Sequence, residues 1–187
     1  EKFDFIGAFI YAISICAFIY GLSIVTTHIG IILAAIGLLG LIFFIIWEGR
    51  QQYPLLNTKL FKENKIFAFS NLAAFINYSA SFAIGFILSI HLQHILGLSP
   101  AQSGMVLLSQ PLIMTLFSLV AGRLSDTYSA SVVASIGMAI TTVGIIILLF
   151  VLPTFSILYI VFSLLIIGLG FALFSSPNTN AVMNSVS

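Results

Sequence analysis

Few residues in this chain could do covalent chemistry, and their spacing argues against it. A serine nucleophile working inside a membrane needs Gly-x-Ser-Gly and a histidine on a later helix. The nearest match is Ala101-Gln102-Ser103-Gly104, with alanine in the first position, and no histidine follows His94. Zinc hydrolysis on a helix needs His-Glu-x-x-His, which is absent. A pair of membrane aspartates would need acids inside apolar segments, and the only aspartates are Asp4 and Asp126. His91 and His94 are three apart and share a helical face. They could supply two metal ligands, but no Asp, Glu or Cys lies nearby to complete a set. Interfacial anchoring suits them better, with proton sensing as the alternative, since histidine titrates near neutrality. Cys16 is the only cysteine, so it has no disulfide partner in this chain and reads as a small packing residue. No enzyme, cofactor or metal site is expected.

The polar residues that remain point to binding rather than bond-making. At about 100° per residue, Ser70, Asn77 and Ser81 fall on one face of a helix, and Asn71, Tyr78 and Gly85 form the adjoining stripe. The opposite face carries Phe69, Leu72, Ile76, Phe86, Ile87 and Ile90. Such a helix turns one side to lipid and the other to a cavity or a partner helix. Ser70, Asn71, Asn77, Tyr78 and Ser81 are therefore the candidate substrate-binding residues. Interhelical hydrogen bonding is an equally good account of Asn77 and Ser81, at about 0.6 kcal/mol per contact. Gln93, at the end of the same helix, reads as an interfacial cap.

The elements that position this stripe follow from charge. Of 187 residues, 60% are hydrophobic and only 6% are charged, against about 25% charged in a soluble domain. Mean hydropathy is +1.22. Three stretches, Phe5–Trp47, Ile66–Gly122 and Thr127–Ser187, contain no Asp, Glu, Lys or Arg. Each holds two helices of about 20 residues, the length that crosses a bilayer core of roughly 30 Å. The expected fold is an all-α integral membrane protein with six spans: about Phe5–Val25, Gly30–Trp47, Ile66–Leu92, Ala101–Gly122, Ser131–Leu152 and Phe155–Ser175. Asp4 is the expected N-cap of the first, Pro153 marks the last outer turn, and Pro177 is expected to end the sixth.

All six basic residues, Lys2, Arg50, Lys59, Lys62, Lys65 and Arg123, lie before or between these stretches. Positive residues accumulate in cytoplasmic loops, so both chain ends are expected in the cytoplasm of a plasma (inner) membrane protein. Residues 49–65 form the only substantial polar segment, a cytoplasmic amphipathic linker on the inner surface. Its lysines suit anionic headgroups better than nucleic acid. The fifth span has only Ser135, Thr141 and Thr142 as polar residues and is expected to be peripheral, facing lipid. Replacing Thr141 with leucine should then matter less than replacing Asn77. With no initiator methionine and no charged tail after Ser187, the chain is expected to be an internal piece of a longer protein.

Arg123 and Asp126 are the only charges after Lys65 and sit in an expected inner loop, residues 123–130. They read either as a local surface pair or as a latch in which Asp126 caps a helix N-terminus. The loop has the form Gly122-Arg-Leu-Ser-Asp126, which resembles the Gly-x-x-x-Asp motif of major facilitator transporters, although Thr127, Ser129 and Ala130 replace its usual continuation. Further stretches extend the resemblance in order: Asp4-Phe-Ile-Gly7, Glu48-Gly-Arg, Pro54-Leu-Leu, Leu60-Phe61, Leu92-Gln93, Gly97-Leu-Ser-Pro100, Ser103-Gly104, Gly168-Leu-Gly170 and Ser176-Pro177-Asn178. Together they resemble the fourteen-span drug:proton antiporters of the EmrB/QacA type.

The resemblance implies that residues 1–48 are the family's two central linking helices and 66–187 the first four helices of the C-terminal bundle. The N-terminal six-helix bundle and the last two helices would lie outside this chain. It implies export of amphipathic drugs or similar compounds, driven by a proton gradient, with gating at Gly122, Arg123, Asp126, Pro111 and Pro177. Because the six spans contain no acid, the proton carrier is expected in the N-terminal helices. A same-fold exporter of siderophores or lipids, or a six-helix membrane subunit with no transport of its own, are the alternatives.

Overall fold

The computed structural model describes residues 4–51, 53–150 and 156–186. Among these the structure is all-helical. Six helical stretches are long and apolar enough to cross a membrane: Phe5–Ser23, His28–Glu48, Lys65–Ile95, Pro100–Thr127, Ala130–Leu149 and Ile157–Asn184. The protein is a multi-pass membrane protein. Its chain divides into two compact units, residues 1–65 and 66–187.

The first unit is a helical hairpin. Helix α1 (Phe5–Ser23) opens on Asp4, whose Oδ1 accepts the Gly7 N–H at 2.9 Å. Helix α2 (His28–Glu48) opens on Thr27, which caps Gly30 in the same way, so it starts two residues before the expected Gly30. The two helices run antiparallel and touch through backbone. A Cβ on Gly37 would lie 2.6 Å from the Phe18 Cα, and one on Gly21 would lie 2.8 Å from the Ala34 Cα. In lipid no hydrophobic force drives helices together, so close approach through small residues is what holds them. The linker contains one short helix, α3 (Lys59–Glu63), where an amphipathic turn is expected.

The second unit centres on its last helix. Helix α4 (Lys65–Ile90) continues into a π-helical turn, His91–Ile95, and then Gly97 turns the chain with φ +68°, a conformation that favours glycine. Ser99 and Gln102 form a capping box, with Pro100 in the first turn of helix α5 (Pro100–Leu107). Helix α6 (Ser109–Thr127) follows after a break at Leu108. Pro111 accounts for that break: its ring crowds the carbonyl four residues back, on Leu107, and it has no N–H to give. Helix α7 (Ala130–Leu149) opens on Ser129. Helix α8 (Ile157–Asn184) is buried along much of its length, from Ile160 to Asn178, between α6 and α7. At one end of the unit, Leu88 and Leu92 pack with Ile160 and Leu164.

Three expectations change. Pro177 does not end the sixth span: it is buried inside α8, which continues to Asn184. Membrane helices tolerate an internal proline where neighbouring groups accommodate the freed backbone. The expected inner loop at 123–130 shrinks to Tyr128 and Ser129, because α6 runs on to Thr127. The fourth span is two helices rather than one. Pro153, the expected outer turn, lies outside the described residues.

Candidate functional site

Three residues of the α4 stripe do meet other helices, each a different one. The Gln110 amide on α6 donates to Ser81 Oγ at 2.8 Å. Tyr78 and Ser175 on α8 share a hydroxyl hydrogen bond of 3.0 Å, and the Tyr78 and Phe171 rings lie 5.5 Å apart and tilted. Asn77 turns to α7, where its amide donates to Met138 Sδ at 2.6 Å. Polar groups on α4 thus tie it to α6, α7 and α8, as expected where each unsatisfied group in lipid is costly.

Beside the Ser81–Gln110 and Tyr78–Phe171 contacts lies a cavity of about 540 Å³. Helix α4 supplies Tyr78, Ser81, Phe82, Gly85 and Phe86; α6 supplies Gln110, Pro111 and Met114; α8 supplies Phe171. The volume falls in the range of small-molecule sites. No charged residue lines it. Four aromatic rings, a thioether, two hydroxyls and one amide do, so it can stack a flat apolar ligand and orient it by neutral hydrogen bonds.

The stripe read from sequence is therefore split. Tyr78 and Ser81 line the cavity. Asn77 does not: it is 4% exposed, its Oδ1 is buried without a partner, and its side chain faces α7. Asn71 folds back onto its own helix, its amide donating to Phe67 O at 2.8 Å. Ser70 contributes its backbone carbonyl, which accepts from the Asn178 amide on α8 at 3.2 Å. Phe82, Gln110, Met114 and Phe171 also line the cavity, and so does Phe86, which the helical periodicity places on the face opposite the polar stripe. A ring facing a cavity and one facing lipid look alike in a sequence, and Gln110, between Ser109 and Pro111, carries no mark in the sequence that it meets α4.

Helix α7 also departs from expectation. Val133, Gly137, Thr141 and Gly144 are buried against α8, and Thr141 is only 7% exposed. A leucine at Thr141 would have to enter the tightest helix contact of the unit. A leucine at Asn77 would remove a half-satisfied buried amide, a change that is often neutral or favourable. Thr141→Leu should thus lower thermal stability and functional yield several-fold more than Asn77→Leu, measured at matched expression.

At the far end of α6, Gly122 faces Ser176 of α8 and the Asn180 amide reaches Ser125 at 3.4 Å. Arg123 and Asp126 are exposed on the last turns of α6. Asp126 does not cap a helix N-terminus; Ser129 does so for α7, accepting the Val132 N–H. An acid in a last helical turn is disfavoured by the helix dipole, so Asp126 is not there to stabilise α6.

The model of the Major Facilitator Superfamily matches residues 71–187, which includes every residue of this cavity. The chain belongs to the Major Facilitator Superfamily. It is similar to the riboflavin transporter RibZ of Clostridioides difficile (strain 630), 29% identical over 154 residues, covering 81% of this chain and 34% of that protein. It is similar to the multidrug transporter protein MdtP of Bacillus subtilis (strain 168), 30% identical over 155 residues, covering 83% of this chain and 28% of that protein. The multidrug efflux pump LfrA of Mycolicibacterium smegmatis is 25% identical over 152 residues, with coverage of 81% and 30%. The chain spans about a third of the length of these relatives. The superfamily match and the transporter names of these relatives set it apart from enzymes.

Proposed function

We propose that this chain is part of a secondary transporter of the fourteen-span EmrB/QacA type, exporting amphipathic aromatic compounds in exchange for protons. The observation that carries the reading is the uncharged, aromatic cavity between α4, α6 and α8. Relatives named as multidrug transporters and as a riboflavin transporter agree in kind, since such ligands stack on rings. In this reading α1 and α2 are the central pair, and α4 to α8 are the first four spans of the C-terminal bundle. Both ends of the chain are cytoplasmic in the plasma membrane, and Gly122, Arg123 and Asp126 work at the cytoplasmic gate with Pro111 and Pro177 as helix-bending points. The proton gradient supplies the drive. The linker lysines favour the inner leaflet.

A second reading is favoured by the aromatic lining of the cavity and by the riboflavin transporter among the relatives: movement of a planar heteroaromatic nutrient. Proteoliposomes containing the whole transporter distinguish the two. Dye efflux that acidifies or alkalinises the lumen in step with substrate supports drug:proton exchange. Riboflavin movement without dye efflux supports the nutrient reading. Neither movement removes both. Single-cysteine labelling in a Cys16-free background tests orientation: an external reagent should reach position 98 and not position 57.

A further inference from the structure

The polar edge of the cavity between α4, α6 and α8 has hydrogen-bonding groups to spare. The Gln110 amide donates to Ser81 Oγ at 2.8 Å, and both side chains line the cavity. Several other hydroxyls of this unit donate to a carbonyl three or four residues back: Ser109 to Val106, Thr115 to Pro111, Thr141 to Gly137 and Ser163 to Tyr159. Among the described residues Ser81 makes no such bond, so its O–H is unspent. Gln110 Oε1 likewise accepts nothing among the described residues. The pair therefore offers one donor and one acceptor side by side. Turning the amide over exchanges the roles, with Ser81 donating to Oε1. It still leaves an N–H donor on Gln110 and an acceptor on Ser81.

The fold holds Gln110 in place. Gly168 of α8 lies against its backbone: a Cβ there would be 2.5 Å from Gln110 O and 3.3 Å from Gln110 Cα. Pro111 follows at once, with its φ fixed by the ring, and the break at Leu108 lies two residues before. A side chain whose backbone is fixed in this way meets a ligand at small entropic cost. The rest of the lining is largely apolar, with rings at Tyr78, Phe82, Phe86 and Phe171 and no charge. The ligand group that fits such a site is neutral, flat and both donor and acceptor.

We propose that Gln110 and Ser81 read a lactam or imide edge on a flat ring. The ring N–H donates to Gln110 Oε1, and the adjacent C=O accepts the Ser81 hydroxyl. A carboxamide reads the donor–acceptor edge of adenine by the same two-point chemistry. Stacking on the aromatic lining selects flatness, and the Gln110–Ser81 pair selects among flat rings, so Gln110 is a specificity-determining residue. The inference rests on the reading of this cavity as the site for transported compounds. An analogue that leaves such groups unpaired is rejected more strongly than its lost contact area alone would give.

Carbostyril, a benzo-fused lactam, and N-methylcarbostyril share a ring and a carbonyl, and the first alone has the N–H. Acridine is flat and has no N–H at all. Calorimetric binding to the whole transporter in lipid nanodiscs should favour carbostyril over its N-methyl form by at least about tenfold. Gln110→Leu should level the two. Gln93→Leu, at a glutamine that bonds Ser89 outside the cavity, should keep the difference. Should Gln110→Leu misfold, the wild-type comparison still decides the matter. Equal wild-type affinities, no binding of either lactam, or a preference that survives Gln110→Leu would each overturn the proposal. Acridine separates that failure from failure of the transport reading. Acridine binding that Gly85→Trp abolishes leaves the aromatic site standing without the lactam rule. No binding of any of the three, or binding that Gly85→Trp leaves intact, removes both.

Discussion

Replacing Gly170 with leucine should push α7 off α8 and give the largest loss of stability of any single change in the second unit. A Cβ at Gly170 would lie 2.5 Å from the Thr141 backbone N and 2.7 Å from the Gly137 carbonyl oxygen. From the other side, a Cβ at Gly137 would lie 2.6 Å from the Gly170 oxygen and from the Phe174 N. The obstructing atoms are backbone, which cannot rotate away. Overpacking a well-filled core costs about 1–3 kcal/mol and sometimes more; here, with two helix backbones in the way, the upper end of that range is expected. In lipid the lost contact is not replaced by a hydrophobic force. Thermal unfolding in detergent should show a clear drop for Gly170→Leu and for Gly137→Leu. Gly104→Leu is the matched control, because nothing lies within 4 Å of a Cβ there. Equal melting curves for the three would mean that α7 and α8 are held by something other than this contact.

These two helices show what a sequence hides. Gly168-Leu-Gly170 looks like one motif, but its glycines serve different neighbours: Gly168 lies against Gln110 of α6 and Gly170 against Thr141 of α7. The six spans are legible because charge is excluded from lipid, a strong one-dimensional signal. The caps at Asp4 and Thr27 are local, and the first is legible for that reason. Which face of α4 meets which helix is not. Asn77 and Ser81 lie on one stripe, yet Asn77 faces α7 and Ser81 faces α6, because three helices divide the polar face among them. The length of α6 and the passage of α8 through Pro177 are also set by packing, since in isolation a proline favours a stop. Glu48 is the plainest case. In the sequence it is one more charge beside Arg50, and only the fold shows that it is buried, its Oε2 accepting the Leu56 N–H.

Gly85→Trp should abolish binding in the cavity while leaving the helices in place. Gly85 is a cavity residue of α4, and nothing lies within 4 Å of where its Cβ would stand. The side chain would grow into the space bounded by Phe86, Met114 and Phe171, not into a neighbouring backbone. An indole would take up a large share of a cavity of about 540 Å³ and occupy the stacking surface itself. A loss of at least about tenfold in affinity is expected, roughly 1.4 kcal/mol, for any flat aromatic ligand that the whole transporter moves. Gly85→Ala should be close to neutral, since a methyl group leaves the stacking surface free. Ser81→Ala should fall between them, because it removes one oriented hydroxyl and frees the Gln110 amide without filling space. The graded order, with melting temperature unchanged across the series, is the signature of a ligand in this cavity. If Gly85→Trp transports at the wild-type rate, the ligand lies elsewhere, and Tyr78, Ser81 and Gln110 are hydrogen-bonding links between helices and nothing more.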